Sequence, residues 1–212
     1  MNRPNITPAE AKAYIDSAEF NIRAAMNEYV MKGRVSLDEA NKYISTAIKP
    51  LVQGVVMVLA IRGYYLNSMG VAGDNDRGIY DDAIILMGPN YYQTFNGNTD
   101  PRIIKQGVAM LLPGWHEFKQ GWHGYGKASG HQAFRTANVR EVLPVLRDGQ
   151  VGIKEGVTVN MHRGGKYNTN SIACQTIVED QWFEFQRTAY KLMNREGQKT
   201  LPYLLLEERH KQ

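Results

Sequence analysis

One short stretch of this chain gathers reactive side chains at a spacing that permits chemistry. His162 lies near the end of an alternating run over residues 157–163. Gly164 and Gly165 open a polar turn through Asn168, Thr169, Asn170 and Ser171, and Cys174 stands at the mouth of a second apolar run. Cys174 is the only cysteine among 212 residues, so it forms no disulfide within the chain and belongs to no cysteine-rich zinc module. Two readings remain, an inert buried thiol or a nucleophile. Neighbouring antiparallel strands lie about 4.8 Å apart, so two of them joined by the polar loop bring His162 to Cys174. An imidazole there stabilises the thiolate that attacks a carbonyl carbon, and later protonates the leaving amine. Ile172, Ala173 and Ile177 suit the inert reading. The glycines and the Asn/Thr/Ser run suit the reactive one, because glycine lets a substrate approach the backbone and the amides of Ala173 and Cys174 can hold an oxyanion.

Other polar groupings are weaker. His116, His123 and His131 match neither a His-x-x-x-His helix pair nor a carboxypeptidase pattern, so no metal and no cofactor is expected. Asp81 and Asp82 resemble a glycosidase pair in type only, since adjacent strand residues face opposite ways; capping or turn duty is expected of them. Asn96, Asn98, Thr99 and Asp100 before Pro101 read as a self-bonded Asx turn or as a polar cleft wall. The stretch 121–126, with Trp122 and His123 among glycines, reads as a cleft lining or as an aromatic-plugged loop.

The elements that must position these groups change character near Gly70. Before it, Thr7-Pro8-Ala9-Glu10 and Ser36-Leu37-Asp38-Glu39 are capping boxes, predicting helices over 8–32 and 37–49, the second stopped by Pro50. The apolar run 51–66, interrupted by Gln53 and Arg62, predicts a third, buried helix too short to span a bilayer. Arg62-Gly63-Tyr64-Tyr65 is expected to join the two parts structurally. After Gly70, short alternating runs at 82–87, 91–95, 107–112, 115–119, 143–147 and 157–163 predict strands, with turns at Gly88-Pro89-Asn90, Pro113-Gly114 and Asp148-Gly149. A helix over 179–193 carries Trp182, Phe183, Phe185 and Tyr190, and residues 201–212 are expected to fray. The fold class is therefore α+β, divided into a helical segment 1–66, a mostly antiparallel β-rich module 67–196 with a C-terminal helix, and a tail 197–212. The net charge of +4 favours polyanionic partners mildly, and the scattered basic residues carry no nucleic-acid motif.

His162-Arg-Gly-Gly, the short polar loop, and Ser171-x-x-Cys174 together resemble the signature of the L,D-transpeptidase catalytic domain, the YkuD-like fold. The stretches 62–65, 78–83 and 95–101 extend the likeness, over roughly residues 60 to 190, to small phage proteins related to lysins. The resemblance implies a catalytic set of Cys174 as nucleophile, His162 as its base, Ser171 shaping the turn, and Arg163 orienting the imidazole through its carbonyl. The sequence departs from the family pattern at Ala173, Ile172 and Gln175, which stand where glycine, histidine and arginine are usual, so Arg163 is the candidate replacement cation. Gly164, Gly165, Tyr167, Trp122, His123 and Gln175 are the expected substrate-binding residues, with Lys166 adding charge.

The resulting expectation is a peptidoglycan stem-peptide hydrolase of phage-lysin type, working through a thioacyl intermediate. It would be made in the host cytoplasm without a signal peptide or membrane span, and would act on the wall after release. The partner is bacterial peptidoglycan, with no nucleic acid and no stable membrane association, and a monomer fits. The alternatives are a non-catalytic phage structural or wall-binding protein of the same fold, or an L,D-transpeptidase proper.

Overall fold

The computed structural model describes residues 1–51 and 54–210. Both capping boxes form: Thr7 and Ser36 each accept the backbone N–H three residues on, while Glu10 and Glu39 reach back to the cap N–H. The first predicted helix is divided. α1 (Pro8–Asp16) gives way at Ser17, whose hydroxyl donates to the Tyr14 carbonyl, and α2 (Ala18–Met31) follows. Gly33, at φ +65°, ends α2 in a Schellman turn, with Gly33 N–H donating to Val30 O and Arg34 N–H to Tyr29 O. α3 (Leu37–Ala47) completes the helical layer.

The third expected helix is instead strand β1 (Met57–Arg62); Val52 and Gln53 lie outside the described residues. All six residues of β1 are buried. Val58 and Ala60 pack into one core, and Met57, Leu59 and Ile61 into another. A strand covered on both faces has no polar alternation, so its sequence reads like a buried helix.

The strands that follow are β2 (Asp82–Gly88), β3 (Tyr91–Asn98), β4 (Ala109–Leu111), β5 (Gly114–His123), β6 (His131–Thr136) and β7 (Val142–Arg147). The predicted run 157–163 is broken between β8 (Lys154–Val157) and β9 (Met161–Arg163), and β10 (Gln175–Ile177) leads into α4 (Glu179–Arg195). The expected fraying tail is β11 (Leu201–Glu207), fully buried but for Pro202 and paired in parallel with β1; only Lys211 and Gln212 fall outside the described residues.

Eight strands close a barrel in the order β1-β11-β5-β6-β9-β10-β3-β2, while β4-β7-β8 form a separate three-stranded sheet. Pairing is antiparallel except for β1 with β11 and β9 with β10. The α+β class and mostly antiparallel sheet are as expected, but the boundaries at 66 and 196 are not. The barrel begins with β1 and ends with β11, because neither strand can cover its backbone edge or its two apolar faces without the other. Gln198 fastens this closure, accepting from Val56 N–H and donating to Val56 O.

One core joins alternate strand residues to Trp182, Phe185, Ala189 and Met193 of α4. The other joins the intervening residues to the faces of α1–α3. Asn21 of α2 exchanges two hydrogen bonds with the backbone of Glu207, locking the helices to β11. Where β1 leaves the barrel, buried Arg62 pairs with Asp100 and Glu207 and donates to the Thr99 hydroxyl and the Thr99 and Leu111 carbonyls. Asp82 accepts the N–H groups of Gly63 and Thr99, and Asp81 that of Asp76. Both aspartates hold turns, as expected.

Candidate functional site

The site is assembled by strand order. β5, β6, β9 and β10 are consecutive around the barrel, with His123 opposite His131 in the β5–β6 register and Thr176 opposite His162 in the β9–β10 register. Because β9 and β10 run parallel, the loop 164–174 is a crossover between neighbouring strands, where an antiparallel connection was expected. Extending the register two residues back sets Cys174 beside Asn160. Residues two apart on a strand share a face, so Asn160, His162, Cys174 and Thr176 lie on one side.

The thiol of Cys174, the ring nitrogens of His162 and those of His123 each offer an atom within 4.8 Å of the other two. The Cys174 Sγ accepts the Asn160 N–H at 3.4 Å, and its S–H points to the Thr158 carbonyl at 3.6 Å. Thr158 holds a left-handed φ of +55°, a costly conformation for a β-branched residue, and that turn is what wraps the backbone around the sulfur. Burial pushes the thiol's pKa up, against the Asn160 hydrogen bond. His162 is 3% exposed and donates from Nδ1 to the Arg163 carbonyl at 2.7 Å, which leaves Nε2 with a free lone pair. Burial, reinforced by His123, brings its pKa down to about 3. Thiol and imidazole are therefore both neutral at rest, and among the described residues no hydrogen bond joins them.

His123 stacks on His162 with centroids 3.9 Å apart and planes 17° from parallel, and its Nδ1 accepts from the Asn160 amide at 3.4 Å. His131 is held elsewhere: its Nε2 accepts the Arg163 N–H, and its Nδ1–H faces the Ser129 carbonyl. His116 is buried far along β5 and donates to Leu112 O.

A cavity of about 750 Å³ opens over the thiol. His123, Asn160, Thr158, Ile172, Ala173 and Cys174 line one wall, and Lys105, Lys127, Arg135 and Arg147 bring positive charge. Arg135 is paired with Glu141 and Arg147 is bonded to the Gly107 carbonyl, whereas Lys105 and Lys127 have no ion pair among the described residues.

Several expected substrate contacts fall elsewhere. The Arg163 guanidinium turns to α4, 3.8 Å from Glu179 and over the Phe183 ring, so only its carbonyl serves the site. Gln175 is fully buried, accepting from the Tyr203 hydroxyl and donating to the Thr99 and Ala173 carbonyls. It sits on the strand face opposite Cys174, as adjacent positions must. Gly164 and Gly165 make room for protein: a Cβ on Gly164 would lie 2.0 Å from the Tyr80 hydroxyl, which donates to the Gly165 and Asn168 carbonyls. Tyr167 is exposed beside Lys166, and Trp122 packs edge-on against Tyr125, both outside the cavity wall. Ser171 donates to the Cys174 carbonyl at 2.6 Å and accepts from Ala173 N–H, closing the turn before the thiol.

Sequence reasoning missed Asn160 and Thr158. Asn160 was accessible through period-two alternation with His162; the positive φ of Thr158 left no sequence signal. Among the described residues no helix is long and apolar enough to cross a membrane. No family model, curated protein or solved structure matches the chain.

Proposed function

We propose that the protein is a cysteine peptidase acting on peptidoglycan stem peptides, and that its barrel is a variant of the L,D-transpeptidase-like module its sequence resembles. The reading rests on one observation: a thiol and the His123 imidazole on the wall of a roomy cavity, whose charged lining is cationic, meet the buried imidazole of His162. Stem peptides carry free carboxylates, and Lys105 and Lys127 can receive them. A neutral thiol and neutral imidazole suit general-base activation rather than a standing ion pair. The His162 Nε2 takes the S–H proton as sulfur bonds to the carbonyl carbon, and the Cys174 N–H receives the oxyanion. The tetrahedral centre then expels the amine, which takes the proton from the imidazolium. Water, deprotonated by the same nitrogen, cleaves the thioester and restores the thiol.

Hydrolysis and transfer differ only in whether water or an amine resolves the thioester. Digestion of Gram-negative sacculi, with muropeptides resolved by mass, tests the proposal. Freed or shortened stem peptides are expected from the wild-type protein and none from Cys174→Ala, while cross-linked exchange products would move the reading to transfer. Unchanged muropeptides with the wild-type protein bound to sacculi would replace it with a wall-binding role, a reading favoured by the missing hydrogen bond between Cys174 and His162.

A further inference from the structure

We infer that Cys174, His123 and His162 form a binding site for one thiophilic divalent cation of the Zn²⁺ type, with a fourth coordination position open to the cavity. The inference needs no nucleophilic role for Cys174. Its basis is a donor set of one thiolate and two imidazoles from three separate segments, all within 4.8 Å of one another. That combination suits zinc over the hard, oxygen-seeking cations, and three protein ligands with an open position is a usual arrangement for it.

Zinc bonds of about 2.0–2.3 Å set neighbouring donors roughly 3.5 Å apart, so the three groups must draw together by about 1 Å. The structure shows which one moves. His162 is fixed by burial and by its Nδ1–H bond to the Arg163 carbonyl, the outer hydrogen bond that orients a ligating imidazole and leaves Nε2 for the ion. Two stacked rings cannot both aim in-plane lone pairs at one ion, so His123 turns out of the stack. It is half-buried, ends β5, and is followed by Gly124 at φ +64°.

Asn160 supplies the second outer partner. Its Oδ1 is buried without a hydrogen bond among the described residues, while its amide nitrogen faces the His123 Nδ1. Turned over, that amide accepts from the His123 Nδ1–H and frees Nε2 for the metal. The Thr176 hydroxyl on the same strand face is also buried and unpartnered among the described residues. On binding, Cys174 releases its S–H proton to solvent and ligates as thiolate; no electron is transferred. A capped thiolate is closed to electrophiles, so the ion silences the thiol.

Untagged full-length protein titrated with Co²⁺ and, in competition with a chromophoric chelator, with Zn²⁺ tests this. One ion per chain is expected, with a thiolate-to-cobalt charge-transfer band in the near ultraviolet and the intense visible bands of a tetrahedral site. Cys174→Ser should abolish the ultraviolet band, and Asn160→Ala should weaken binding about 10-fold or more. Stoichiometric Zn²⁺ should protect Cys174 from iodoacetamide. A wild-type Co²⁺ spectrum without the thiolate band overturns the inference whether or not any variant folds, as does affinity unchanged in a folded His123→Ala protein. Metal-free protein that digests sacculi without binding Zn²⁺ would sink this inference alone, and protein that binds Zn²⁺ yet is inert on sacculi in its metal-free form would sink only the proposed function.

Discussion

The polar groups around Arg62 and those around Cys174 are both withdrawn from water at strand ends of one barrel, yet they are neutralised in different ways. Around Arg62, charge answers charge: the guanidinium meets Asp100 and Glu207, Glu207 also accepts from the Tyr29 hydroxyl, and Arg209 reaches the same carboxylate. Cys174, His162 and His123 enter no ion pair among the described residues. Burial keeps the thiol protonated and the His162 imidazole deprotonated, and the Asn160 Oδ1 and Thr176 hydroxyl have no hydrogen-bond partner among the described residues. Paired buried charges hold a fold in register and are costly to break. Unpaired neutral groups on a cavity wall contribute little stability and stay available to a ligand.

The largest expected contrast comes from removing the thiol. Cys174→Ala should lower stem-peptide release by about 10³-fold or more, as loss of a nucleophile does. Its urea midpoint should move by less than about 1 kcal/mol equivalent, because a half-buried side chain without a strong hydrogen bond is removed. Activity retained in Cys174→Ala would remove the chemical half of the comparison.

Arg62→Met should do the reverse. It leaves Asp100 as an uncompensated buried carboxylate and takes from Glu207 one of its two cations, Arg209 remaining, so a loss of about 3–5 kcal/mol in urea denaturation is expected, with sacculus digestion retained wherever the variant stays folded. A loss below about 1 kcal/mol, the range of exposed pairs, would show that the charges are not buried in solution.

The two regions were unequally legible. His162 and Cys174 could be read together because one strand, one loop and the next strand carry them. His123 could not, since it arrives through the barrel order β5-β6-β9-β10, which no local pattern encodes. Arg62 looked like an interruption in an apolar helix, because β1 is buried on both faces and shows no alternation. β11 was hidden similarly: Leu204, Leu205 and Leu206 fill two cores in turn, and the charged residues after them suggested a loose end. The helix caps were legible because a capping box is wholly local, whereas Gly164 misled because the bulk that requires it, Tyr80, lies far off in sequence.

Asp81 sharpens the charged side of the comparison. Burial first, then Asp82 and Asp100, push its carboxyl up to about 9 from an ordinary value near 3.8. The folded chain thus keeps a proton that the unfolded chain gives up. The associated stability is fully present below the unfolded pKa and is lost as pH rises through the folded one. Between pH 5 and 8, Asp81→Asn should therefore gain on the wild type with rising pH, at up to about 1.4 kcal/mol per unit. A pH-independent difference between the two unfolding curves would mean that Asp81 is ionised in the fold.

The smallest effect tests how the fold holds the reactive side in place. The Tyr80 hydroxyl donates to the Gly165 and Asn168 carbonyls, and it lies 2.0 Å from where a Cβ on Gly164 would stand. Tyr80→Phe keeps the ring and leaves both carbonyls short of a donor, at a cost of about 1 kcal/mol. The loss falls on the crossover that carries Ser171 and Cys174, so amide exchange should quicken over residues 164–174 while the β1 and β11 amides stay protected. If the tyrosine only fills space, Tyr80→Phe will leave the exchange of both regions unchanged. If it orders the crossover, alkylation of Cys174 should also accelerate, because the Ser171 bond to the Cys174 carbonyl loosens with the loop.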